Sequence, residues 1–366
     1  MTSHWTAAAV AALATSAWPA TPRIVAAPPL LPGLDLWDYW PVQERDGRVA
    51  VIGGGTLFVF LAAPATGDPD ARHDLAHLRL AHRDETGWRD LGPVFDEGFA
   101  PGSRQWSGST VVDAGHTMLT LFFTAAGRRN EAQLGFEQRL FVSRAGLGVP
   151  PGPLVKAWST PTEVIAADGA VYLRDMAGGG ALGTIKAFRD PYYFEDPVDR
   201  AGYLLFTASL AASSSAWNGA VGIARRDAGD WQLQPPLIAA DGVNNELERP
   251  HIICRDGLYY CFWSTQGRVF APGLVAPTGL YGVVAEAMRA PWRPLNGSGL
   301  VIANPPAYPH QAYSWLVLDD LSVLSFADLP GLAAAPADAV AARANFGGTP
   351  APTLHLRLAG DRAVLA

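Results

Sequence analysis

A chain of 366 residues with 49% hydrophobic and 17% charged side chains can bury one or two sizeable cores and is too apolar to be disordered. Its 27 basic and 34 acidic residues leave a net charge of −7 with no Lys/Arg cluster, which makes nucleic acid and anionic membrane poor partners. Two cysteines, Cys254 and Cys261, cannot form a disulfide framework and sit in no zinc-type spacing, so metal and redox chemistry lose support and both read as small core residues.

In chain order, Thr6 to Trp18 is an Ala-rich apolar run of about thirteen residues, too short to span a bilayer. No Lys or Arg precedes it, so it makes a poor signal peptide. It is expected to form a short helix on the outside of the domain, followed by a Pro-rich connector from Pro19 to Pro32. From Val49 onward, short β-branched and aromatic runs alternate with Gly, Asp and Pro, the pattern of strands. Gly 38 and Pro 30 predict many turns. Hairpins are expected at Val49 to Leu61 around Gly53-Gly54-Gly55, Thr110 to Thr124, Pro191 to Ala208, His251 to Thr265 and Trp315 to Ala327, with another around Gly360-Asp361.

Polar-aromatic clusters introduce five of these hairpins: Trp37-Asp38-Tyr39-Trp40-Pro41, Trp106-Ser107-Gly108-Ser109, Arg189-Asp190-Pro191, Glu246-Leu247-Glu248-Arg249-Pro250 and Tyr313-Ser314-Trp315. Their intervals of about 60 to 80 residues suit units of about four strands. The expected fold is therefore all-β, a five-bladed β-propeller with a short N-terminal helical segment, one catalytic domain over residues 1–366 with residues 1–32 packed on it. The first strand of each blade lines the axis, so clusters far apart in sequence converge there.

Three acids stand out: Asp38, Asp190 and Glu248. Pro191 and Pro250 are expected to hold the preceding Asp190 and Arg249 extended. Glu246 and Glu248, two residues apart, share a face if the segment is extended, and two like charges raise the pKa of one of them, which keeps a proton donor available near neutral pH. Glycosidic bond cleavage needs a carboxylate and a carboxylic acid, with groups that hold sugar hydroxyls. Trp37, Trp40, Trp106 and Tyr313 add aromatic faces for the sugar ring.

These clusters resemble glycoside hydrolase family 68, the levansucrase, inulosucrase and bacterial β-fructofuranosidase group. The resemblance runs from His4-Trp5-Thr6 through the clusters above, residues 294–301 (PLNGSGLV) and Gln311 to Ser314, to Phe346-Gly347-Gly348-Thr349. It implies a funnel-shaped acidic pocket acting on sucrose with retention. Asp38 matches the nucleophile, Glu248 the acid/base and Asp190 the carboxylate that steadies the fructosyl transition state. Trp37, Trp106, Ser107, Arg189, Glu246 and Tyr313 match substrate contacts. Because Trp5 belongs to the pattern, the N-terminal segment is expected within the fold.

Two departures matter. Calcium-binding members carry Asp where this chain has Asn245, so no calcium and no other cofactor is expected. Levansucrases carry Arg or His where this chain has Gln266, on the acceptor side. The favoured expectation is a retaining β-fructofuranosidase that releases glucose from sucrose and passes the fructosyl group to water or small saccharides. The alternatives are a levansucrase building β-2,6 levan, an inverting arabinan-type hydrolase, and a sugar-binding propeller without chemistry. The resemblance implies an extracellular or periplasmic setting. Linkage, acceptor choice and oligomeric state depend on loops such as Ala63 to His73 and Gly267 to Pro277, which carry no recognisable code.

Overall fold

Each β-branched and aromatic run pairs with the next across a tight turn, so the chain folds as successive antiparallel meanders. The structure, a computed structural model, describes residues 2–15, 17–25, 27–149, 152–174 and 185–366. Five meanders follow one another, with first strands β1 (Leu34–Gln43), β2 (Arg104–Val112), β3 (Phe188–Glu195), β4 (Glu248–Arg255) and β5 (Ala312–Val317). Their partners are Thr56–Pro64, Met118–Ala126, Gly202–Ser209, Leu258–Thr265 and Ser322–Ala327. By hydrogen bonding the meanders form four sheets, because a short parallel pairing of Val42 with Thr110 and Gln43 with Val111 merges the first two.

The first strands touch in the order β1, β2, β3, β4, β5, and the last meander returns to β1. Sheets therefore pack face against face around the chain. Both faces of β3 and of Gly202–Ser209 are buried, which explains why Tyr203 to Phe206 reads as a continuous apolar run without alternation. Rings bridge neighbouring meanders: Phe122 stacks on Tyr193 at 5.7 Å. Cys261 is fully buried and Cys254 half-buried against the same core, and both are free thiols.

The expected hairpin at Val49 to Leu61 is misplaced. The turn residues there make only isolated bridges, and the strand that pairs with Thr56–Pro64 is β1 itself. The polar-aromatic clusters thus form parts of the first strands or the segments leading directly into them. Their mixture of Asp, Pro and Trp hid strand character because these strands are paired on one side and face a polar centre on the other.

The N-terminal segment is a strap. Thr6 caps the helix Ala7–Ala11, its Oγ1 accepting from the Ala9 amide at 3.3 Å. Val10 and Leu13 are buried in the main core. Ser3–His4 pairs in parallel with Ile238 and Ala239 of the third meander. Trp5, 1% exposed, donates from Nε1 to the Ser298 carbonyl at 2.9 Å and packs edge-on against Trp263 at 5.3 Å in the fourth. Further on, Thr21 and Pro19 exchange backbone hydrogen bonds with Ala303, the Ile24 amide donates to Gln311, and the Leu30 amide donates to Thr349 of the fifth meander. No helix among the described residues is long and apolar enough to cross a membrane.

Candidate active site

Every first strand breaks register within its cluster: between Leu36 and Tyr39, Trp106 and Gly108, Arg189 and Tyr192, Glu248 and His251, and Tyr313 and Leu316. A bulge re-aims a side chain that a regular strand would alternate away. Asp190, Arg249 and Ser314 adopt φ of 62°, 51° and 62°. The expectation that the following prolines keep Asp190 and Arg249 extended is therefore overturned. The left-handed backbone costs about 1–2 kcal/mol per residue, and local hydrogen bonds offset it. The Asp190 amide donates to Thr124 Oγ1 at 2.8 Å, and the Arg249 amide to Thr207 Oγ1 at 3.1 Å. In the next meander the Trp315 amide donates to Ser264 Oγ at 2.8 Å. The device repeats: a hydroxyl on the second strand of one meander receives the bulged amide of the next.

The bulges aim the acids into one cavity of about 880 Å³, lined by Trp37, Asp38, Trp106, Ser107, Arg189, Asp190, Glu246, Glu248, Gln266 and Tyr313. All site residues expected from the sequence meet there. Arg189 organises the carboxylates. Its guanidinium donates to Glu248 Oε1 at 2.7 Å and lies 3.7 Å from Glu246 Oε2 and 3.6 Å from Asp190 Oδ2. Burial alone would lower the pKa of this guanidinium, but Glu246, Glu248 and Asp190 together outweigh it and raise it. Thr207 Oγ1 donates to Asp190 Oδ2 at 2.8 Å, and the Tyr313 hydroxyl donates to Glu248 Oε2.

One arginine faces an excess of negative charge, and burial sharpens the consequence. Burial pushes Asp190 up to about 6, with Glu248 and Asp38 adding and Arg189 opposing. Glu246 is also raised, by burial first and by Glu248 second. Glu246 and Glu248 do share a side, since both engage Arg189. Arg249, by contrast, is a clamp: it donates to the Tyr39 carbonyl at 2.9 Å and to Ser314 Oγ at 2.8 Å, tying β4 to β1 and β5.

Several wall residues escaped sequence reasoning. The 3-10 turn Pro69–Asp74, capped by Asp68, brings Arg72 over the Trp37 ring at 5.5 Å and His73 edge-on to it at 5.9 Å. Trp106 Nε1 donates to the His73 carbonyl at 3.2 Å. Burial lowers the His73 pKa to about 3, with Arg72 adding, so its ring is neutral. Arg268, His310 and Asp328 also line the cavity, and burial pushes Asp328 up to about 6, opposed by Arg72. Arg268 Nε donates to Gln266 Oε1 at 2.7 Å. The Asp68-Pro69 start was the one local signal for the first group. Nothing in the sequence placed the second. Among the described residues no group of three or more His, Cys, Asp or Glu side chains is arranged to hold a metal.

A family model described as Levansucrase/Invertase matches residues 1–220 and 210–366. The chain belongs to glycoside hydrolase family 68. Among its relatives, a levansucrase of Pseudomonas syringae pv. actinidiae, Lscbeta, is 31% identical over 90% of this chain and 82% of its own length. The inulosucrase from Halalkalicoccus jeotgali, solved bound to kestose, is 38% identical with a TM-score of 0.90 over 100% of this chain and 95% of that one. A variant of the β-fructofuranosidase from Microbacterium saccharophilum K-1 is 25% identical with a TM-score of 0.85, over 100% of this chain and 83% of that one. The mostly β architecture is that of this family, and the chain is an enzyme of its glycoside hydrolase and fructosyltransferase type.

Proposed function

We propose that this family 68 enzyme is a sucrose-dependent fructosyltransferase of the levansucrase and inulosucrase type, with hydrolysis as the competing outcome when water takes the acceptor's place. One observation carries the reading: Arg189 gathers Asp190, Glu246 and Glu248 on one wall of a ring-sized cavity that Asp38 also lines. Asp38 attacks the anomeric carbon of the fructosyl unit, the bond to the glucose oxygen breaks, and Glu248 delivers its proton to that oxygen. Asp190 steadies the oxocarbenium-like transition state through the fructosyl hydroxyls. Glu248 then takes the proton from an acceptor hydroxyl or water, which displaces Asp38 with retention overall. Glu246, which burial keeps prone to protonation, holds a proton beside Glu248.

The sequence weighed hydrolysis above polymerisation because Gln266 lacks a charge. Two things now weigh the other way. Two of the three relatives named above, the levansucrase and the inulosucrase, carry fructan names, and Arg268 donates to Gln266 beside the cavity, so a cation stands two residues from the position where the sequence lacks one. The five meanders are read as five propeller blades in one catalytic unit, with sucrose and saccharide acceptors as partners and a location outside the cytoplasm. Digestion of concentrated sucrose, scored for free fructose, oligosaccharide and polymer, tests the reading. Transfer products should dominate at high sucrose; free glucose and fructose in equal amounts at every concentration would reduce the enzyme to a hydrolase, and no glucose at all would remove sucrose as substrate.

A further inference from the structure

Lys186 lies two residues before β3, outside the cavity wall that performs the chemistry. Its ammonium donates to the Ala216 carbonyl, to Asn218 Oδ1 at 2.8 Å and to Asn245 Oδ1 at 2.6 Å. Three oxygen acceptors use the whole donor capacity of an ammonium. These acceptors come from two segments: the link between the second and third strands of the third meander, and the residues entering β4. The segments are in backbone contact, since a Cβ on Gly219 would lie 2.8 Å from the Asn244 carbonyl oxygen. The Lys186 carbonyl accepts from Gln138 Nε2 at 2.7 Å, and Gln138 Oε1 accepts from the Phe188 amide at 3.1 Å, anchoring the lysine to the second meander and to the start of β3.

The amide of Asn245 has two ends. An ammonium can only donate, so Lys186 fixes the Asn245 oxygen toward itself and turns Nδ2 toward Glu246, where it donates to Oε1 at 3.2 Å. Asn244 Oδ1 accepts from the Glu246 amide at 2.8 Å and holds the backbone of the same residue. We propose that Lys186 is a positioning residue that acts through Asn245: its ammonium sets the amide so that a neutral donor faces the Glu246 carboxyl and holds it on the substrate side of the cavity. The relay couples a charge outside the cavity to a carboxyl inside it. Besides this donor, Glu246 faces Glu248, Arg189, Arg268 and Asp190, together with the charge of Lys186 itself.

The proposal rests on Glu246 being a sucrose-contacting carboxyl, so the test separates the two. Lys186→Met should raise KM for sucrose about tenfold, the worth of one charge-assisted hydrogen bond, with a smaller change in kcat, and Lys186→Arg should restore much of it. Asn245→Asp guards against misfolding: its carboxylate still accepts from Lys186 but cannot donate to Glu246, and it adds a like charge. This variant should keep the wild-type melting temperature while the pH limb of kcat/KM that Glu246→Gln abolishes moves to higher pH. The same upward shift should appear in an infrared titration of the carboxyl band missing from Glu246→Gln, a readout independent of turnover. An unmoved band and limb in Asn245→Asp, or a Lys186→Met enzyme with lower melting temperature but unchanged KM, would overturn the relay. Wild-type protein that splits no sucrose, with the band shift still present in Asn245→Asp, would instead sink the substrate reading and leave the relay standing.

Discussion

Glu248 accepts from both Arg189 and Tyr313, a grip that would orient the carboxyl for the two opposite proton transfers of the proposed mechanism. Replacing Glu248 by Gln keeps the shape and removes the proton, so turnover of sucrose should fall by about 10²–10⁴. A fructosyl donor with a nitrophenyl leaving group needs no protonation and should lose far less, which assays of glucose and nitrophenol release would compare. On the proposed mechanism Asp190 sets the acid limb. It must be ionised to steady a cationic transition state, and its pKa is pushed up to about 6, so kcat/KM should fall as pH drops through about 6. The linkage to stability has the opposite sign: a carboxyl whose folded pKa exceeds its ordinary 3.8 favours the folded state when protonated, and folding loses that contribution as pH rises from about 4 to 6. Asp190→Asn should therefore inactivate the enzyme and add about 1–3 kcal/mol of stability at pH 7, a gain that vanishes near pH 4 in denaturant titrations.

At the scale of elements, the bulges and the hydroxyls that receive their amides are one unit. Thr207 serves both sides, accepting from the Arg249 amide and donating to Asp190. Thr207→Val preserves volume but leaves the buried Arg249 N–H only its longer 3.4 Å bond to Asp190 Oδ2 and takes a donor from that carboxylate, which costs about 1–3 kcal/mol and loosens β4 next to Glu248. Thermal melts and kcat should both fall; a variant with wild-type values would show that the left-handed turn at Arg249 needs no such partner. The failure of the proline argument is instructive here. Local sterics at Asp190-Pro191 favour an extended residue, yet a strand that must place a carboxyl at a shared centre bulges, and hydrogen bonds from the neighbouring meander decide the backbone. Those hydroxyls lie dozens of residues away, so no local window contains them.

Across the whole molecule, five meanders around a polar centre need something to hold the ring shut. The N-terminal strap does part of this, running from the third meander through the fourth to the fifth before β1 begins. Trp5→Ala removes the indole that locks Ser298, Trp263 and Phe270 together and should cost about 3–5 kcal/mol. Its denaturation midpoint should drop with little change in KM, since Trp5 lines no part of the cavity. A lost KM with an unshifted midpoint would place the strap in substrate binding instead.

The amino-acid sequence by itself determined the strands, the five clusters and the identities of the acids, because alternating apolar runs broken by Gly and Asp leave few other folds, and because Asp38, Asp190 and Glu248 sit in short segments whose chemistry is local. Only the tertiary structure decided which way those acids point, that burial raises Glu246, and that Arg72, His73, Arg268 and Asp328 stand around them. The reason is physical: bulge geometry, burial and the summed field of several charges depend on what lies across space, and in a ring of sheets the neighbours that matter are about 60 to 80 residues away along the chain.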